Sequence, residues 1–143
     1  MKLQIKDKKA FLAAARGEVL NDLAITNGKI VNVFTGEILK GTVYVSQGFI
    51  CHVDYHNEEI RAKEIIDVQG KIIVPGFIDS HVHIESSMLT PRNFARAVLP
   101  WGTTTVVTDP HEIGNVWGIE GVRYMHDSAD DLPMRQLIDV PSC

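Results

Sequence analysis

Two histidines one residue apart, His81 and His83, sit in the run Val74-Pro75-Gly76-Phe77-Ile78-Asp79-Ser80-His81-Val82-His83-Ile84-Glu85-Ser86-Ser87. Read as a strand, this run sends alternate side chains to opposite faces. Phe77, Asp79, His81, His83 and Glu85 then share one face, and Ile78, Ser80, Val82 and Ile84 the other. The first face turns polar and rich in ligand atoms toward its C-terminal end. Burying such groups unpaired costs free energy, and a metal ion offsets that cost. Two imidazoles at this spacing can hold one ion, with Asp79 orienting a ring or lying beneath the site. A bare His-x-His is equally compatible with two histidines of no chemical role, so the surroundings decide.

A second group follows the β-branched run Thr103–Thr108, where Asp109, Pro110, His111 and Glu112 stand in succession. In parallel α/β folds, sites gather at the C-terminal ends of strands, so this group falls on the same side as His81 and His83. Turn and cap chemistry accounts equally well for Asp109 and for Glu112 in a first helical turn. A turn does not require histidine, which favours a functional His111. The remaining histidines carry less. His52 and His56 have no partner at ligand spacing and are expected in structural or surface roles, and His126 complements a helix C-terminus. Tyr124 and Met125 are expected to pack.

The elements that position these residues follow from periodicity. Asp7–Arg16 has the spacing of a short helix stopped by Gly17. From Asp22 the period changes to two. Leu23–Thr26 and Lys29–Phe34 flank Asn27-Gly28, a strong hairpin signal. Further strands are expected at 41–45, 49–54, 64–68 and 71–74. Turns are expected at Thr35-Gly36-Glu37, Gln47-Gly48 and Gln69-Gly70, and a loop at His56-Asn57-Glu58-Glu59. This is the pattern of a small all-β module. Pro75-Gly76 separates it from the histidine strand. Thr90 caps and Pro91 opens a helix, which Pro100-Trp101-Gly102 ends. Strand, helix and strand here make a βαβ unit with parallel strands. A helix over 116–127 and a third strand, Arg135–Val140, complete the chain. The segments are thus 1–21, helical; 22–75, β-rich; and 76–143, βα units.

The chain has 143 residues, 45% of them hydrophobic, and a net charge of -4. That balance gives no electrostatic reason to expect nucleic acid or an anionic membrane. No apolar run approaches the ~18 residues of a membrane span, and no apolar stretch follows Lys2, Lys6, Lys8 and Lys9 as a signal peptide requires. Cys51 and Cys143 fit no zinc motif and are too few for a disulfide scaffold, so a reducing cytoplasm is expected.

The run from Pro75 to Glu85 resembles the first barrel strand of the amidohydrolase superfamily. Its continuation Ile84-Glu85-Ser86-Ser87-Met88-Leu89-Thr90-Pro91, with Gly102–Val107, Asp109-Pro110-His111-Glu112-Ile113 and Pro141-Ser142-Cys143, is similar to the bacterial and archaeal adenine deaminases. The resemblance runs from about Ala13 to Cys143. It implies an α/β fold: a small β-sandwich-like module, then the first βα units of a TIM-type (β/α)8 barrel, incomplete in this chain. It implies hydrolytic deamination of adenine to hypoxanthine and ammonia, with a divalent metal, manganese or iron ahead of zinc. His81 and His83 would be metal ligands, and Glu85, Asp109, His111 and Glu112 would line the purine pocket or metal shell. The family's later ligands and its proton-handling aspartate belong to strands absent here, so the catalytic residues are unassigned and the chain is expected to be inactive and poorly stable alone. The resemblance further implies a homo-oligomer of the full-length protein in purine catabolism. Where the family often has histidine, this chain has Trp101, away from the site. Two rivals stand: a hydantoinase- or dihydroorotase-like amidohydrolase, and a non-catalytic remnant or interaction module.

Overall fold

The computed structural model describes residues 4–56, 59 and 61–141. Asn57 and Glu58 of the expected loop, and Ser142 and Cys143 at the end of the chain, lie outside them. The chain divides into two compact units at Val74/Pro75.

In the first unit, α1 (Lys8–Ala15) starts where the Asp7 carboxylate accepts from the backbone N–H groups of Lys9 and Ala10, an ordinary side-chain cap. Gln47 pins that start to the sheet. Its side-chain oxygen accepts from the Lys6 and Asp7 N–H groups at 2.9 and 3.0 Å, and its amide donates to the Asp7 carbonyl at 2.8 Å. The strands are β1 (Asn21–Val31), β2 (Ile38–Ser46), β3 (Phe49–Asp54), β4 (Ala62–Asp67) and β5 (Ile72–Ile73). They form one sheet in the order β3-β2-β1-β4, with β5 also on β1.

Asn27-Gly28 does not turn the chain. β1 runs through it, and its register against β2 shifts between Ile25 and Gly28. Asn27 takes φ 56°, so the positive φ that Asn-Gly supplies is used for a bulge instead of a hairpin. The bulge lets one strand change parallel partner, from β4 along Asn21–Thr26 to β5 at Lys29–Ile30. The Asn27 carbonyl accepts from the Gly70 N–H at 2.7 Å. Gln47-Gly48 and Gln69-Gly70 do turn, each with φ positive at both residues, as the type I′ geometry requires. The reversal between β1 and β2 begins before the expected turn at Thr35-Gly36-Glu37, because β1 stops at Val31 and Phe34 already lies in the turn.

The minor candidates of this unit have structural partners. The His52 ring stacks on Tyr44 at 5.9 Å, and the Cys51 thiol bonds the Asn21 side-chain oxygen at 2.9 Å. Burial pushes that thiol above its ordinary pKa.

The second unit alternates β6 (Phe77–Val82), α2 (Pro91–Val98), β7 (Thr103–Thr108), α3 (His111–Ser128) and β8 (Arg135–Ile138). The strands are all parallel and in the order β6-β7-β8. Consecutive parallel strands with helical crossovers are how a βα barrel is wound. Thr90 caps α2 by accepting from the Asn93 N–H, with Pro91 in the first turn. Ile84, Ala95, Val106, Met125 and Met134 form the buried core. Three boundaries differ from the expected ones. β6 ends at Val82, so His83 and Glu85 lie beyond it, and a 3-10 turn takes Glu85–Ser87. β8 ends at Ile138. α3 begins at His111 instead of Val116, and Gly118 breaks it with φ 63° and ψ −150°, a conformation essentially confined to glycine. The apolar stripe was visible only after the break, because the first turns carry site residues. Among the described residues no helix is long and apolar enough to cross a membrane.

The break gives two neighbouring glycines opposite responses to alanine. A methyl group at Gly114 meets only Val122 at 3.5 Å, so Gly114→Ala should gain about 0.5–1 kcal/mol of helix propensity. At Gly121 it would lie 2.7 Å from the Ile113 carbonyl oxygen, and Gly121→Ala should cost about 1–3 kcal/mol by overpacking. Thermal melts followed by circular dichroism should move in opposite directions, and a stabilised Gly121→Ala chain would refute this packing.

Candidate metal centre

The site grows from two loops at the C-terminal ends of neighbouring strands. β6 does not deliver its side chains by simple alternation. Asp79 stands opposite Val106 and Val82 opposite Thr108, so three steps of β6 match two of β7. The extra residue breaks the shared face expected for Asp79, His81 and His83. The Asp79 carboxylate instead accepts from the His81 backbone N–H at 3.2 Å, bracing the irregular segment. It touches no imidazole ring by any bond found among the described residues.

Past this irregularity, three imidazoles gather. The ring centres of His81 and His83 are 4.9 Å apart, and those of His83 and His111 are 4.6 Å apart, both edge to face. Asp109 fixes two of them. Its backbone carbonyl lies 2.9 Å from His83 Nδ1. A carbonyl only accepts, so Nδ1 carries the proton and Nε2 keeps its lone pair. One carboxylate oxygen of Asp109, Oδ2, lies 3.2 Å from His111 Nδ1 and fixes that ring in the same way. The other, Oδ1, is buried and has no hydrogen-bond partner. An orphaned buried carboxylate oxygen beside imidazole nitrogens is what a cation site looks like without its cation.

Two groups have ligand atoms within 4.8 Å of one another: His81, His83 and Asp109; and His83, His111 and Glu112. His81 is exposed and the other four are half-buried. Glu85 lies off the strand face. Its Oε1 accepts from the Ile113 backbone N–H at 3.4 Å, and its Oε2 is buried and unpartnered. It thereby caps α3 in place of Pro110, which provides no side-chain cap. Ser86 donates to a carboxylate oxygen of Glu112. The loop after β6 is therefore bonded twice to the start of α3. Ser86, which stands beside Glu85 just past the strand end, is thereby tied to Glu112. His126 stays apart, exposed and paired with Asp127.

This donor set lies at the strand ends of a parallel βα arrangement, and comparison with known proteins gives its family. The profile of the amidohydrolase family matches residues 72–143, and the chain belongs to that family. The adenine deaminase of Methanothrix thermoacetophila is 49% identical over 132 residues, 92% of this chain and 23% of that protein. That of Listeria welshimeri is 46% identical over 96% of this chain and 23% of its own length. The chain thus spans just under a quarter of these curated relatives. Among solved structures, N-acyl-D-glutamate deacylase from Bordetella bronchiseptica, complexed with zinc and a phosphonate inhibitor, matches with TM-score 0.52 and 29% identity, over 62% of this chain and 18% of that one. L-hydantoinase from Arthrobacter aurescens matches with TM-score 0.54 and 18% identity, over 77% of this chain and 32% of that one, and shows the fold alone.

Asp109→Ala keeps the backbone carbonyl on His83 but removes the carboxylate. Mn²⁺ affinity measured by calorimetry should fall about 10- to 100-fold, the usual effect of losing such a supporting group, with an unchanged far-ultraviolet spectrum. An unchanged affinity would take Asp109 out of the centre.

Proposed function

We propose that this chain forms the opening part of a metal-dependent hydrolase that deaminates adenine to hypoxanthine and ammonia. The observation that carries the reading is that relatives named adenine deaminase are 44–49% identical over 92–96% of the chain. On this reading residues 22–75 are the β-rich subdomain, preceded by the helical segment 1–21, and 76–143 begin the barrel. The five-stranded sheet is then one layer of a sandwich-like module. A cytoplasmic homo-oligomer acting in purine breakdown completes the reading.

His81, His83 and Asp109 would hold the divalent ion. Imidazole with carboxylate suits manganese, iron and zinc, and manganese or iron is the first choice in this reading. When bound, such an ion supplies the Lewis acidity that makes water nucleophilic near neutral pH. The chain's own residues do the positioning. The Asp109 carbonyl holds the His83 proton on Nδ1 and aims Nε2. Asp79 braces the backbone at His81. Glu85, His111 and Glu112 supply acceptors and donors at the rim, and the unpartnered Glu85 Oε2 suits an N–H of a purine. In the reaction water adds to the ring carbon bearing the amino group, and that carbon–nitrogen bond breaks to release ammonia.

The test is a chimera in which this chain replaces the matching segment of the Methanothrix thermoacetophila adenine deaminase. It should convert adenine to hypoxanthine in Mn²⁺, and His83→Asn should reduce turnover at least about 100-fold. Chelation should abolish it reversibly. Hydantoin or dihydroorotate hydrolysis without adenine turnover would establish the cyclic-amide reading instead. A folded, metal-loaded chimera inert on all three would support a non-catalytic module. The 143-residue chain by itself should release no ammonia from adenine.

A further inference from the structure

His83 belongs to both donor groups, but it has one free nitrogen. Its Nδ1 donates to the Asp109 carbonyl at 2.9 Å, so only Nε2 can bind a cation. One lone pair serves one ion. The groups His81/His83/Asp109 and His83/His111/Glu112 therefore cannot both be filled. No carboxylate is common to the two groups, so none is placed to bridge two ions.

We propose that His83, His111 and Glu112 form a second divalent-cation position, exclusive of the one at the end of β6, so that a single ion is shared between strand end and helix start. It rests on the reading of His81 and His83 as a cation-binding pair and adds an alternative seat. The helix-side seat has its own supports. The Asp109 carboxylate holds the His111 Nδ1 proton at 3.2 Å, leaving His111 Nε2 free. Ser86 bonds one oxygen of Glu112, leaving the other available. All three side chains are half-buried, where a cation is screened less than at an open surface. The strand-side seat has the stronger claim, because it takes both histidines of the pair and the Asp109 carboxylate, one oxygen of which is buried and unpartnered. An ion on the helix side leaves His81 without metal, so the chain is loaded while the strand end is vacant.

The test is a Co²⁺ titration of the 143-residue chain, read by visible absorption. The wild-type chain should saturate at one ion. His81→Ala should still bind one, at least about tenfold more weakly, with altered bands. Adding His111→Asn and Glu112→Gln to His81→Ala should abolish that residual binding. Asparagine and glutamine keep the polar contacts, and far-ultraviolet spectra matched to wild type show that each variant folds. In parallel, ¹⁵N spectra of the histidine rings should show the His83 Nδ1 proton retained when Zn²⁺ is bound. Saturation at two ions per wild-type chain, or loss of that proton, would overturn the exclusion. No residual binding in His81→Ala, or residual binding that the two added changes leave untouched, would overturn the helix-side seat while the strand-side reading stands. Wild-type affinity in His83→Ala would instead overturn the histidine pair itself.

Discussion

The Asp109 carbonyl accepting the His83 Nδ1 proton is the constraint on which the centre depends. It leaves Nε2 as the His83 nitrogen with a free lone pair, and it does so with backbone, which no side-chain substitution removes. The same residue fixes His111 through its carboxylate. Asp109 can reach both rings because it directly follows β7, and its own N–H donates to the Val82 carbonyl at 3.1 Å. The β6–β7 ladder thus extends one step past the end of β7, and the centre is built on that last rung. The orientation of the His83 ring is in this way tied to strand pairing.

Departures from regular structure do the rest of the placing. The extra residue in β6 turns the His81–His83 segment out of strict alternation, and Pro110 ends β7 abruptly and starts α3. Gly118 then redirects the helix. Without that break, the turns bearing His111 and Glu112 would have to follow the axis of the segment whose Met125 packs in the core. With it, the first turns can face the loop after β6 while the later turns face the sheet. The bonds from Ser86 to Glu112 and from Glu85 to Ile113 hold the early segment there.

The regular elements were legible because their chemistry is local. Thr90-Pro91 marks a helix start whatever surrounds it, and Thr103–Thr108 has no good alternative to a strand. The donor residues were legible too, since His, Asp and Glu cluster at strand ends for few reasons. What sequence could not show was how the irregularities would be used. Asn27-Gly28 provides positive φ, but whether that makes a hairpin or a bulge is decided by β4 and β5 arriving from farther along the chain. The end of β6 was overextended for a related reason. Ile84 keeps the apolar rhythm of the strand, yet it enters the core from the following turn. Alternation cannot tell these two routes to burial apart.

The centre also has an energetic side that links it to the stability of the unit. A buried acceptor left unsatisfied costs about 1–3 kcal/mol, and both Asp109 Oδ1 and Glu85 Oε2 are in that condition. Their positions are held by strand pairing and by the α3 cap. A cation that binds only the folded form would stabilise it by roughly 2.7 kcal/mol at a hundred times its dissociation constant. A set of carboxylate and imidazole donors suits ions able to take both together. Ions that prefer oxygen alone gain nothing from His81 and His83, and ions that prefer thiolate find no sulfur in either donor group.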